Sequence, residues 1–387
     1  MHQPAEVVFL VASAALLYLL AGYPLLLAYF PWRTSPPVAK NFGYQPAVSV
    51  LLPVRDGEAF LRRKLESILG LDYPNHLLEI LVISDGSTDA TARIAAGFAT
   101  SGVRLLEVPA GGKAAALNAG ISAAAGEVLF FTDVRQRLAP DSLAHLTACL
   151  ADPQVGSVTG ELHILAGESG SEKDLGFYWR YEVWARKHLS RIHSMFGATG
   201  CIYAMRRELV EPIPPDTLTD DAVLPLHAYF RRRRMILEPD AKAYDLPSPL
   251  GSEFSRRMRT LAGLWQVLAR RPAVLLRPHR MWLHFASHKF GRLALPWLTL
   301  AAGISAFGLP NPWRGAVLAS AGAVLALAAF DLLTPQRWPL KRLTSPARTL
   351  VIMLAASFCS ISVFVVSPQR LWKRTQVLQR GTSDHPS

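Results

Sequence analysis

Asp85, Lys113, Asp133 and the pair Asp220-Asp221 are the residues of this sequence whose types and settings point to chemistry. Asp133 follows the uncharged run Val128 to Phe131, with Gly126 upstream and charged residues downstream. Such a run reads as a short strand buried on both faces of a parallel sheet. Open α/β sheets bind ligands beyond the carboxyl ends of their strands, which is where Thr132 and Asp133 would stand. A helix cap is the competing role for Asp133, but Pro140-Asp141-Ser142 supplies its own start signal. Lys113 is a mobile cation beside the Gly111-Gly112 turn, able to approach a diphosphate. Its plainer role, a solvated lysine opening a helix, runs against the helix dipole. Thr219-Asp220-Asp221 precedes Ala222, Val223, Leu224 and Leu226, as a helix start would, so its two carboxylates are either site residues or ordinary caps.

The elements that must position these residues alternate. Val48 to Asp56 is an apolar strand ending in a loop, and Ala59 to Leu69 carries apolar residues at helical spacing. Leu78 to Ser84 is a second strand, running through Asp85-Gly86-Ser87-Thr88-Asp89 into a helix over Ala90 to Ala99. Val103 to Pro109 is a third strand and Lys113 to Ala125 an Ala-rich helix leading to the Asp133 strand. This alternation predicts an α/β domain built on a parallel, doubly wound sheet of nucleotide-binding type.

The rest of the chain is apolar in long runs. Half of its 387 residues are hydrophobic, and the mean hydropathy of +0.20 is high for a soluble protein. Val7 to Phe30 is long enough to span a bilayer, and Leu293 to Leu309, Gly315 to Leu333 and Leu350 to Val366 lie near the other end. A cleaved signal peptide is disfavoured for the first run, because no Lys or Arg precedes it. The sequence thus predicts a multi-pass protein of the cell (inner) membrane. The net charge of +12 excludes little by itself, but the basic residues gather beside the apolar runs (Arg231 to Arg234, Arg256, Arg257, Arg259, Arg270, Arg271) and no nucleic-acid-binding module accompanies them. That pattern marks a cytoplasmic membrane face and argues against nucleic acid as a partner. The charge rule puts Arg33 to Arg280 inside; Arg370, Lys373, Arg374 and Arg380 argue for a tail inside as well, whereas three further spans would put it outside, so whether Leu350 to Val366 spans or is interfacial or re-entrant stays open. Cys149, Cys201 and Cys359 are too widely spaced for a metal pair and read as reduced residues.

Four ordered blocks carry a family resemblance over residues 46–260: Val48 to Asp56, with Pro53 and Asp56; Ile83 to Asp89; Gly112-Lys113 with Ala116-Leu117-Asn118-Ala119-Gly120; and the Asp133 strand. The sequence resembles family 2 glycosyltransferases of the membrane-embedded kind that includes cellulose, hyaluronan and poly-N-acetylglucosamine synthases. Gly197-Ala198-Thr199-Gly200 is similar to that family's acceptor-side turn, and Thr219-Asp220-Asp221 to its T-E-D motif. The resemblance implies a GT-A-type nucleotide-sugar-binding domain with a mainly parallel sheet over 46–250. Around it lie a transmembrane helix in 1–32, amphipathic interfacial helices in 251–290, membrane helices in 291–367 and a basic tail in 368–387.

The resemblance also assigns roles. Pro53, Asp56, Asp85, Lys113, Asp133 and Arg135 would bind a nucleotide-sugar donor, a UDP-sugar first, with Asp85 accepting from the uracil N3–H. Asp221 would be the catalytic base of an inverting transfer to a lipid or growing glycan, with Asp220 as the alternative base. Gly200, Arg256 and Arg259 would lie on the acceptor and diphosphate side, although only Arg259 matches the family's Q-x-x-R-W block. Asp133 would hold Mg²⁺ or Mn²⁺ as the first carboxylate of D-x-D, but the second is replaced by Arg135. Either Asp133 holds the metal alone with the diphosphate, or Arg135 replaces the metal as counter-charge to the leaving group, or activity is gone; the plainer alternative is that Arg135 simply points away into a salt bridge. The altered D-x-D and Q-x-x-R-W blocks also leave a second function open, a catalytically silent homologue that serves as a nucleotide-sugar-binding or scaffold subunit.

Overall fold

The computed structural model describes residues 2–165, 172–245, 253–335, 338 and 340–368. Helix α1 (Pro4–Tyr29) is followed by the proline-containing linker that leads to β1 (Val48–Val54). Then α2 (Glu58–Leu69), β2 (Leu78–Asp85), α3 (Thr91–Ala96), β3 (Val103–Val108), α4 (Lys113–Ala123) and β4 (Val128–Phe131) follow in the alternation that the sequence predicts. β1 pairs in parallel with both β2 and β4, and β2 with β3. Successive strand residues face opposite sides, and both sides are buried. Val50, Leu52, Val82 and Phe130 enter one core cluster with Leu61 and Leu65 of α2, while Leu51, Leu81, Leu129 and Phe131 enter another with Ala116 and Leu117 of α4. Double-sided burial is why these strands read as unbroken apolar runs.

The expectation of a mainly parallel sheet is corrected by the second half of the domain. After β4 come β5 (Arg137–Leu138), α5 (Ser142–Leu150), β6 (Val155–Ile164), α6 (Glu172–Ile192), β7 (Tyr203–Arg206), α7 (Asp220–Phe230) and β8 (Arg234–Asp245). The eight strands form one mixed sheet in the order β3-β2-β1-β4-β7-β6-β8-β5. β7 runs antiparallel to both β4 and β6, and β5 antiparallel to β8, while β6 and β8 are parallel. β7 follows α6 and the Gly197–Gly200 turn and lies reversed between β4 and β6.

Helix α8 (Glu253–Arg270) packs against the domain and is followed by α9 (Gly291–Ala306), α10 (Trp313–Phe330) and α11 (Lys341–Cys359). Among the described residues three helices are long and apolar enough to cross a membrane: Pro4–Tyr29, Trp313–Phe330 and Lys341–Phe364. The run Leu293 to Leu309 folds into the 16-residue α9, shorter than the ~20 residues a full crossing needs. Leu350 to Val366, left open between a span and an interfacial or re-entrant segment, lies largely in the third long helix. The basic tail 368–387 lies outside the described residues apart from Pro368.

Candidate active site

The carboxyl ends of β1, β2 and β4 converge where strand order reverses about β1, the crevice position of an open sheet. Asp85 ends β2 and is buried. Its Oδ1 accepts from the backbone N–H of Gly111 at 2.7 Å and of Gly112 at 3.0 Å, and the Arg55 guanidinium stands 3.7 Å away. Asp85 thus fixes the turn that starts α4. Gly86 follows at φ +58°, and a Cβ there would lie 2.7 Å from that of Ala110, so glycine is required for the close approach of these loops. Asp56 uses its Oδ1 to accept from the Thr88 N–H at 2.8 Å, and its own N–H donates to Ser87 Oγ. Pro53 lies within β1, in register with Ile83.

Lys113, the first residue of α4, reaches across the crevice. Its Nζ stands 2.9 Å from Asp133 Oδ1 and 3.2 Å from Asp220 Oδ2. Burial opposes this charge, but Asp133, Asp220 and Asp221 more than offset it and raise the lysine above its ordinary value. Asp220 and Asp221 open α7, with Thr219 at the cap position. The first is buried and paired with Lys113. The second lies against the 197–200 turn: a Cβ on Gly200 would come within 3.3 Å of Asp221 Oδ2, and the Asp221 carbonyl accepts from the Ala198 N–H at 2.6 Å. Burial, and then the neighbouring Asp220, push Asp221 up to about 6, with Lys113 and Arg186 pulling the other way. The geometry therefore separates the two acids: Asp220 is an ion-pair partner, while Asp221 is a carboxylate poised to exchange a proton near neutrality.

Arg135 turns to the neighbouring strand end and ion-pairs with the buried Asp245, and Gln136 donates to the same oxygen at 2.8 Å. This is the salt bridge that the sequence left open as the plainer role of Arg135. Arg259 comes from α8. Burial lowers it below the ordinary guanidinium range, and the charges of Asp221, Asp133 and Asp220 reach it and pull the other way. Arg256 is exposed one turn earlier. Gly263 of the same helix packs so tightly on Thr219 that a Cβ would meet its side chain at 2.4 Å.

Two residues of the site escape sequence reasoning. Lys64 of α2 is 1% exposed and lies under the Asp133 loop, donating to Thr132 Oγ1 at 2.7 Å and the Gln136 carbonyl at 2.8 Å. Burial lowers it to about 8. It staples both ends of the loop that carries Asp133 and Arg135. The only sequence signal is a lysine in the buried stripe of an amphipathic helix, between Leu61 and Ile68. Tyr203 of β7, fully buried and stacked on Phe131 at 4.5 Å, has its hydroxyl pushed well above the ordinary range by burial and by Asp220, Asp221 and Asp133. Replacing the staple, Lys64→Met, is expected to raise the KM for donor about tenfold or more, as loss of an outer support commonly does. Lys64→Arg should recover less than half of that loss in steady-state kinetics, because a planar fork does not fit a tetrahedral donor's place.

A divalent cation fits this site through one carboxylate. Asp133 is 36% exposed and faces the crevice, and Mg²⁺ is commonly held by one or two carboxylates with substrate phosphates. The one cluster of three metal-capable side chains among the described residues, His145, Glu238 and Asp240, belongs to α5 and the middle of β8 instead, with the Lys40 ammonium 2.6 Å from Glu238.

Residues 49–213 match the sequence model of glycosyl transferase family 2. A β-monoglucosyldiacylglycerol synthase of Nostoc sp. is 27% identical over 188 residues, 46% of this chain and 40% of that protein. The probable glycosyltransferase YdaM of Bacillus subtilis is 26% identical over 215 residues, 51% of this chain and 50% of that protein. The chain thus spans half or less of the length of these curated relatives. The solved structure of the mannosyltransferase PcManGT from Pyrobaculum calidifontis, in complex with GDP-Man and Mn²⁺, superposes with a TM-score of 0.73 over 93% of this chain and 99% of that one, at 25% identity. The mixed sheet, the crevice at its strand ends and these likenesses agree: residues 49–213 are similar to glycosyl transferase family 2 and lie in a domain with the GT-A-like glycosyltransferase fold.

Proposed function

We propose that this protein is a membrane-bound, inverting hexosyltransferase that moves a sugar from a nucleotide-sugar donor to a lipid acceptor at the cytoplasmic leaflet. The observation that carries this reading is the opposed pair of Asp221, a carboxylate near 6 against the Gly197–Gly200 turn, and Lys113 with Asp133 across the crevice. In the step envisaged, Asp221 accepts the proton of an acceptor hydroxyl as its oxygen bonds to the anomeric carbon. The bond from that carbon to the β-phosphate oxygen breaks on the opposite face, and the nucleoside diphosphate leaves toward Lys113 and Arg259. Positioned cations at a leaving phosphate are worth several kcal/mol in a partly dry site. A divalent ion at Asp133 would add neutralisation of the same phosphates. The apolar helices and the name of the Nostoc relative support a lipid acceptor over a soluble one.

One observation favours the second reading, a silent donor-binding or scaffold subunit: Arg135 is engaged by Asp245, and Lys113 stands between the two carboxylates. The purified protein should distinguish the two. Release of nucleoside diphosphate from a panel of UDP- and GDP-sugars is expected, and part of it should survive EDTA because Lys113 supplies a built-in cation. Binding of a donor with no turnover of any, with or without Mg²⁺ or Mn²⁺, would establish the silent reading.

A further inference from the structure

Where α5 packs on β8, a histidine and two carboxylates converge outside the crevice. Leu143, Leu146 and Leu150 of α5 enter one core cluster with Ile236 of β8, and His145 stands at the rim of that contact opposite Glu238 and Asp240. Both acids fall in the stretch between Leu237 and Lys242, where the pairing of β8 with β6 shifts register. Such irregularities re-aim side chains out of the usual alternation. One ligand atom of each of the three residues lies within 4.8 Å of the others. Glu238 is buried and Asp240 is exposed, so the group is anchored on one side and open to water on the other.

The distances within the group leave a gap of a particular size. His145 Nδ1 is 3.9 Å from Glu238 Oε1, too long for a hydrogen bond. This nitrogen is buried and has no hydrogen-bond partner among the described residues, which is costly for a polar atom. Glu238 divides its oxygens. Oε2 takes the Lys40 ammonium at 2.6 Å and the Cys149 thiol at 3.2 Å, whereas Oε1 accepts from the Asp240 N–H at a long 3.4 Å. Two ligands of a tetrahedral Zn²⁺ with bonds near 2.1 Å stand about 3.4 Å apart, a separation that a small side-chain rotation reaches from here.

The surroundings fit the same ion. The other ring nitrogen, His145 Nε2, lies 3.7 Å from Asp141 Oδ2. A carboxylate behind a metal-bound imidazole holds the proton on the far nitrogen and leaves the near one as a ligand. Phe42 stands edge-on to the imidazole at 5.2 Å and limits its tilt. Three carboxylates, Glu238, Asp240 and Asp141, are set against one ammonium, Lys40. The excess of negative charge matches a divalent cation.

We propose that His145 Nδ1, Glu238 Oε1 and the Asp240 carboxylate bind a divalent transition-metal ion, Zn²⁺ first, with water completing the shell from the open side. An imidazole among the ligands favours Zn²⁺ over Mg²⁺, which takes oxygen alone. Lys40 keeps Oε2. The ion joins α5 to β8 beneath the linker from α1, whose Asn41 N–H donates to the Ala148 carbonyl of α5 at 3.0 Å. Its role is to brace this contact, and the site does not rest on the transferase reading.

The test is Zn²⁺ binding to the full-length protein in neutral detergent, after EDTA treatment and desalting. Affinity is measured against a chromophoric chelator, and X-ray absorption at the zinc edge is recorded on the loaded protein. Wild type and Asp133→Asn are expected to bind the tightest ion alike, with nitrogen and oxygen neighbours. His145→Gln should weaken it at least about tenfold, since even a change behind a ligand commonly costs that much. Asp240→Asn, at an exposed position that guards against misfolding, should weaken it likewise. Zn²⁺ should raise the Tm of wild type and not of His145→Gln. Affinity equal to wild type in either of these two variants would overturn the site. So would a sulfur neighbour, which would put Cys149 in the shell, or loss of the ion in Asp133→Asn, which would place it in the crevice. Mg²⁺ displacing Zn²⁺ at equal concentration would overturn the choice of metal.

Discussion

Asp221→Asn should lower transfer by about 10²–10⁴, the usual worth of a general base, while leaving donor affinity within a few-fold. The amide keeps the size of the side chain and its place against Gly200 but has no basic oxygen. Wild-type activity should rise with pH through about 6, where burial and Asp220 have moved this group, and the residual activity of the variant should lack that limb. Stability provides an internal control. A carboxylic acid raised in the folded state binds its proton more tightly folded than unfolded, so its contribution falls as pH rises from about 4 to about 6 and stays unfavourable above. Asp221→Asn removes that unfavourable contribution, and its Tm at pH 7.5 should equal or exceed that of wild type. A variant with a normal Tm and near-normal turnover would move the base to another residue.

Lys113→Met is the second large effect. With the ammonium gone, Asp133, Asp220 and Asp221 keep only the more distant charges of Arg259 and Arg186. Transfer should fall by about 10²–10³, the scale of losing one preorganised group at a site of developing charge. Lys113 also lowers Asp221, so the acid limb of whatever activity remains should move to higher pH. The space between Asp133 and Asp220 then favours a divalent ion, and Mg²⁺ or Mn²⁺ should bind the variant more tightly than wild type in calorimetry while turnover stays low. Unchanged metal affinity, or a limb that stays at about 6, would show that Lys113 does not set the charge of the crevice.

The parallel half of the sheet is legible in the sequence because its inner strands β1, β2 and β4 are buried on both sides and read as apolar runs, and the edge strand β3 (VRLLEV) follows them in the same alternation. Asp85, Lys113 and Asp133 are legible for the same reason, as polar residues at the ends of such runs. Arg259 is legible only through one matching position in an altered block. The antiparallel half is not, since Tyr203–Arg206 is a four-residue strand without a period of its own, and its direction depends on the fold of the preceding turn. Partners distant in sequence are also hidden: Arg135 and Asp245 are 110 residues apart, and Glu182 and Arg292 are likewise 110 apart. Lys64 fails for a subtler reason. A lysine in a helix is presumed solvated, and only the tertiary fold shows that its ammonium ends on Thr132 and Gln136 under the loop.

The reversed strand has a consequence for motion. Because β7 lies directly beside β4, with Phe131 opposite Tyr203 and Thr132 Oγ1 bonded to the Cys201 carbonyl at 2.8 Å, the donor-side and acceptor-side strand ends are joined by one continuous ladder. A hinge between the two halves would have to break that ladder, whereas hinges ordinarily fall in loops that absorb backbone rotation cheaply. Opening and closing of the crevice is therefore left to loops at its rim such as the Gly111–Gly112 turn, held by Asp85. Amides of β4 and β7 should remain among the slowest to exchange with solvent even while ligands enter and leave the crevice.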